Sequence, residues 1–174
     1  LVCNTPDNSI EVWDTDESKP IAQRFLLRVP VGMSPVSVRW SGKRKRFYTA
    51  DFLSDSVTMV SLFEVAGSGA LGVVGGDGVG ATLGYAVIDA RNVGDEPMDV
   101  VLAQDHTTLA VTTQTDSTVR FLNAFTLDPK APSASVPDTF ELIASTSNGQ
   151  EALKEPRGMV VKDDELFVLG FKGG

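Results

Sequence analysis

The chain has one cysteine and one histidine in 174 residues. Cys3 alone can build neither an internal disulfide nor a cysteine-based zinc site. His106 alone excludes a His-rich metal cage, and the pair excludes a haem-attachment motif within this chain. Long apolar runs are missing: no stretch approaches the ~18 residues of a membrane span, so no membrane insertion is expected. Basic residues are few, 15 against 23 acidic ones, and the net charge of −8 argues against a nucleic-acid or anionic-membrane surface. Helical patterning is scarce as well, and only Gln150 to Glu155 leaves room for one short turn. What is there suffices for a packed core: 42 % hydrophobic and 22 % charged residues, in the length of one ordinary domain.

The chain repeats itself. Pro35-Val-Ser-Val-Arg-Trp40, Pro97-Met-Asp-Val-Val-Leu102 and Pro156-Arg-Gly-Met-Val-Val161 match, with prolines 62 and 59 residues apart. Gly32 and Gly94 share the place three residues before the first two prolines. Each match leads through a turn into a second apolar run: Phe47 to Asp51, Leu109 to Thr113, Leu166 to Leu169. A short polar corner precedes a third run in Leu53 to Leu62 and Thr115 to Leu122, with an earlier copy at Asp7 to Asp14. A fourth run, Ile21 to Val31, Tyr85 to Val93 and more loosely Phe140 to Ala144, returns to the next proline. These runs are rich in Val, Thr, Phe and Leu, and several alternate with period two, which reads as strand. Proline at a strand's start costs no ladder bond.

Four antiparallel strands per repeat, radially repeated, is the plan of a β-propeller. The expected fold is therefore all-β: an arc of a β-propeller with four-stranded antiparallel blades, two complete repeats and two partial ones. The divisions are a partial blade at 1–31, a blade with a Gly-rich outer loop at 32–93, a blade with a Pro-rich outer loop at 94–153, and the start of a further blade at 154–174. An arc leaves sheet faces open. The sequence starts with Leu and not Met, and counting in phase from Pro156 puts the next corner just past Gly174. The expectation is a fragment of a longer chain, with an oligomeric ring as the alternative; the partners are the remaining blades of the same propeller or other subunits.

Gly94-Asp-Glu-Pro97-Met-Asp-Val-Val, Leu53-Ser-Asp-Ser-Val-Thr-Met-Val and Asn4-Thr-Pro-Asp-Asn-Ser-Ile-Glu-Val-Trp-Asp14 resemble YVTN-type β-propeller repeats. The resemblance covers Leu1 to about Val101, weakens through Thr126 to Lys154 and returns at Pro156. It implies a secreted, cell-surface or periplasmic setting, and some relatives are joined to haem-bearing or copper-bearing redox domains.

Several motifs imitate sites. Gly67-Ser-Gly-Ala-Leu-Gly72 matches a dinucleotide fingerprint, but six glycines between Ala70 and Gly84 oppose the helix that motif requires. Gly75-Gly-Asp77-Gly78 supplies one carboxylate where calcium needs six to eight oxygens. His106, beside Asp105, has the chemistry of a general base, yet a hairpin-turn histidine is ordinarily just solvated. Lys43-Arg44-Lys45-Arg46 is the one basic cluster, suited to an anion or acidic partner and equally to a solvated turn. Pro129 and Pro132 belong to a loop expected to be stiff and extended. Cys3, Trp13 and Trp40 are expected in inter-blade cores.

No catalytic, cofactor or metal residue is expected, and no cofactor in this chain. The expected function is a non-enzymatic binding or scaffold segment of a larger β-propeller protein. Lys43, Arg44, Lys45, Arg46, Asp77, Pro129 and Pro132 are its candidate partner contacts. Alternatives are the propeller portion of a redox enzyme or haem or copper electron-transfer protein, and a surface-layer or filament subunit.

Overall fold

The computed structural model describes residues 1–65, 82–146, 149–163 and 165–172. The strands form four antiparallel sheets in chain order. The first holds β1 (Val2–Asn4), β2 (Ser9–Trp13) and β3 (Phe25–Pro30); the second β4 (Pro35–Ser41), β5 (Arg46–Asp51), β6 (Ser56–Val65) and β7 (Thr82–Asn92). The third holds β8 (Pro97–Leu102), β9 (Thr108–Thr113), β10 (Thr118–Asn123) and β11 (Thr139–Glu141); the fourth β12 (Ile143–Thr146), β13 (Gly149–Lys162) and β14 (Glu165–Lys172). The fold is thus all-β, an arc of propeller-like blades, two with four strands and two with three.

Alternation along each strand divides the side chains between two faces, so each inner sheet serves two cores. Phe47 and Val60 pair across β5 and β6 and face the first sheet, where they meet Ile10, Val12, Leu27 and Val29. Tyr48 and Met59, one residue along, face the third sheet and pack on Val100, Leu109, Val111 and Leu122. The third core joins Val101, Ala110 and Val119 to Met159 of the fourth sheet. The first strands β4, β8 and β13 lie side by side along the arc.

The repeat extends to single hydrogen bonds. The N–H groups of Val31, Val93 and Leu142 donate to the carbonyls of Asn8, Asp55 and Ser117 at 3.0, 2.9 and 3.0 Å. Those three acceptors are left-handed corner residues, with φ of 51°, 52° and 52°. Short polar side chains tolerate that conformation and suit such corners. Asn8 Oδ1 then accepts from Ser34 N–H at 2.8 Å, and Asp55 Oδ1 from Glu96 N–H at 3.0 Å, linking each corner to the residue before the next proline. Just after each proline the ladder slips by one residue, leaving Val36, Met98 and Arg157 as equivalent bulges.

Four expectations change. Ile21–Arg24 forms a helical turn (α1), so the fourth run begins as strand only at Phe25. Gln150 to Glu155 is strand, because pairing of Ile143 with Ala152 and Ser145 with Gln150 supplies cross-strand bonds that a short helix would forgo. The run Phe140 to Ala144 is split: β11 pairs with β10, whereas β12 pairs with β13, so residues 143–153 bond within the last sheet. The Pro-rich loop does not extend freely. Phe121 exchanges bonds with it at both ends, donating to Asp138 O at 2.7 Å and accepting from Lys130 N–H at 2.8 Å, and Ser133 and Val136 bridge across a turn. No helix among the described residues is long and apolar enough to cross a membrane.

Candidate binding surfaces on the turn rim and sheet ends

The turns between first and second strands lie along one rim of the arc. In the second sheet this turn is Gly42–Lys45, and in the third it is Ala103–Thr107. Their tips place Lys45, His106 and Asp163 in the left-handed region, with φ of 53°, 58° and 54°.

Arg44 crosses from the second sheet to the third. Its guanidinium lies 3.3 Å from the Phe125 ring centroid, and its Nε donates to His106 O at 2.6 Å. Ser41 Oγ and His106 Nδ1 are 3.1 Å apart, and Arg46 donates to Phe125 O at 3.4 Å. Tyr48 completes the joint by donating to Ala124 O at 2.6 Å. The basic cluster is therefore divided: Arg44 and Arg46 are half-buried in the joint, while Lys43 and Lys45 are exposed. His106 is half-buried and bonded, not merely solvated. Asp105 does not couple to it, because its carboxylate accepts from the Thr107 hydroxyl and backbone N–H, which hold its pKa below the usual range.

On the other side of that turn lies a cleft of about 310 Å³. Ala110, Phe121, Val161 and Leu166 form its apolar floor, and Asp105, Asp163, Glu165 and Pro132 its mouth. Lys130 Nζ reaches the same turn, donating to the Thr107 and Thr108 hydroxyls at 2.8 and 2.7 Å. Thus Arg44, His106, Lys130 and Pro132 all converge on Ala103–Thr107. Pro129 is exposed and bridges to Leu122 on β10; Asp77 and the glycine motifs around it lie outside the described residues. Among the described residues, no group of three or more His, Cys, Asp or Glu could hold a metal ion.

Two buried carboxylates escaped the sequence reading. Asp99 joins three sheets: Oδ1 accepts from the Ser37 hydroxyl of β4 at 2.6 Å, and Oδ2 from the Met159 N–H of β13 at 2.7 Å. Asp51 is wholly buried and accepts from the Thr58 hydroxyl at 2.5 Å. The Thr49 hydroxyl, also wholly buried, lies beside this carboxylate. Burial pushes the Asp51 carboxyl above the usual range, opposed by the Thr58 hydroxyl. The Cys3 thiol is raised by its own burial and then by the charge of Asp51. The available signal was positional: Ser37 and Asp99 both stand two residues after a repeat proline.

The two ends of the arc differ. The outward face of the fourth sheet carries Val160, Phe167, Leu169 and Phe171, with Leu169 70 % and Phe171 59 % exposed. The outward face of the first sheet is mixed, with Val2 exposed beside a polar cluster. There Asn4 and Arg28 both bond Glu11, Arg28 also bonds Asp7, and Trp13 packs edge-on against Phe25 at 5.4 Å. Trp13 is therefore outside the inter-sheet cores, and Trp40, 43 % exposed, is not covered either.

No protein-family model and no curated protein matches this chain. Among solved structures it is similar to a chain of Kuenenia stuttgartiensis hydrazine synthase, with a TM-score of 0.53 and 14 % identity over 87 % of the chain. The chain spans 37 % of that chain's length. At this identity the likeness establishes the fold alone.

Proposed function

We propose that this chain is a non-enzymatic binding and scaffold segment of a larger β-propeller protein of the YVTN-repeat type, secreted or exposed at the cell surface or in the periplasm. Its role is protein–protein interaction through the remaining blades or other subunits. One observation carries the reading: the outward face of the fourth sheet. The corresponding faces of the second and third sheets, with Tyr48 and Met59 or Val101 and Val119, are buried by the next sheet. On the fourth sheet the same face shows Val160, Phe167, Leu169 and Phe171 to solvent. A contiguous apolar sheet face of this kind needs a partner. Arg44 on the rim and the buried Asp99 support a scaffold, since both are committed to holding sheets together.

The test is association of the purified chain. Sedimentation should show concentration-dependent assembly with binding of a hydrophobic dye, and Phe167→Glu with Leu169→Glu should abolish both. A discrete monomer that binds no dye overturns the reading. The setting is tested by fractionating cells that make the natural protein, which should be found outside the cytoplasm.

A further inference from the structure

The second open surface is at the inner edge of the first sheet. β1 occupies the place of β5 and β9. It leads through a single 3-10 turn, Thr5–Asp7, to the left-handed Asn8, as β5 leads through Phe52–Ser54 to Asp55. In the second and third sheets a first strand, β4 or β8, pairs along the edge of the second strand. Along β1 no such strand is present among the described residues.

The neighbouring β4 shows what is uncovered. Trp40 pairs with Phe47 and Val38 with Thr49, so both project toward the first sheet. The residues at Trp40's place in the next two sheets, Leu102 and Val161, are half-buried and packed on the preceding core. Trp40 instead is 43 % exposed. The bonds between adjacent first strands repeat as well. Val100 N–H donates to Ser37 Oγ at 3.5 Å, and Met159 N–H to Asp99 Oδ2 at 2.7 Å. In both, the oxygen stands two residues after the proline, and the donor stands three residues after the proline of the next sheet. The donor at the matching place on β4 is Val38 N–H.

We infer that the free edge of β1, with Val38 and Trp40 as its side wall, is a docking slot for one antiparallel strand of the pattern Pro-x-(Ser or Asp)-x-aliphatic. Backbone bonds to β1 hold the strand by β-augmentation. Its Ser or Asp oxygen accepts from Val38 N–H, and the aliphatic residue two places further on packs against Val38 and Trp40, as Val101 shares a core with Met159 and Val161, their counterparts on β13. This rests on the reading that other strands of a propeller complete the arc, and it names the strand required.

The experiment supplies the strand. A copy of Gly94 to Ala103 is fused ahead of Leu1 through a short Gly/Ser linker, which gives an effective concentration of about 1 mM or more. Trp13→Phe leaves Trp40 as the sole tryptophan, excited selectively over the two tyrosines. Trp40 emission should shift to the blue, and the β1 amides should exchange at least about tenfold more slowly, a 1.4 kcal/mol effect. Asp99→Leu in the fused copy alone should reverse most of that protection. Unchanged Trp40 emission and β1 exchange overturn the inference, as does full protection by the Leu copy. If Trp40 stays exposed while the chain still associates, only this inference fails. If Trp40 is covered while the chain is monomeric, only the fourth-sheet reading fails.

Discussion

Removing the Asp99 carboxylate should loosen the whole arc, because one side chain holds three sheets. Its residue is 7 % exposed, and its two oxygens take the Ser37 hydroxyl and the Met159 N–H at 2.6 and 2.7 Å. A third donor, Val100 N–H at 2.9 Å, fixes its rotamer, while Arg39, 3.9 Å away, adds a longer-range attraction. Asp99→Ala leaves the Met159 N–H and the Ser37 hydroxyl unpaired. Hydrogen bonds to a charged partner contribute about 1.5–3 kcal/mol each, so the two inter-sheet bonds set a loss of about 3–6 kcal/mol. That is a large share of a domain's total stability of about 5–15 kcal/mol. Urea unfolding in dilute solution should show the midpoint falling by about 2 M, given a slope of about 2 kcal/mol/M. The Met159 amide should also exchange faster with solvent. Asp99→Asn keeps one acceptor oxygen and should lose less than half as much. A loss under about 1 kcal/mol for Asp99→Ala, or equal losses for both variants, would refute the claim that this carboxylate joins the sheets.

Two further outcomes follow from buried positions. Asp51 keeps its proton to higher pH in the folded chain than in the unfolded one, so its contribution is complete below the unfolded pKa and is lost as pH rises through the folded value. Asp51→Asn should remove that decline, leaving stability flatter with pH across the window between the two values. Paired urea curves from acid to neutral pH check it; a variant that tracks the parent across the whole range refutes it. Gly94 sits at φ +99°, and an added Cβ would lie 2.5 Å from Asp116 Oδ2. Gly94→Ala should therefore cost about 2 kcal/mol by combining backbone strain with displacement of Asp116, and thermal melting should show a drop of several degrees.

Gly32 and Gly94 illustrate how far the repeat could be read. The spacing marked both as equivalent, and the structure holds them for different reasons. Gly94 has a positive φ, whereas Gly32 is crowded, its absent Cβ falling 2.4 Å from Ser54 Oγ and 2.7 Å from Asp51 Cβ. The basic turn shows the same limit: one run of four residues became two joint-forming arginines and two exposed lysines. Side-chain destination depends on the neighbouring sheet, which local pattern does not encode.

By itself the sequence determined the strands, their corners and the repeat, because period-two alternation, polar corner residues and proline placement are local and act within a few residues. It also placed the first-strand prolines in equivalent positions; the bulges that follow them came to light only in the paired strands. Only the tertiary structure decided which oxygen meets which N–H across a joint, that Asp99 spans three sheets, that Asp51 is sealed in, and that residues 143–153 bond to the last sheet. The Asp99 outcomes depend on contacts some 60 residues apart in the chain, such as Asp99 with Met159. They arise from burial between sheets, where every unpaired polar group is costly and position, not residue type, determines its partner.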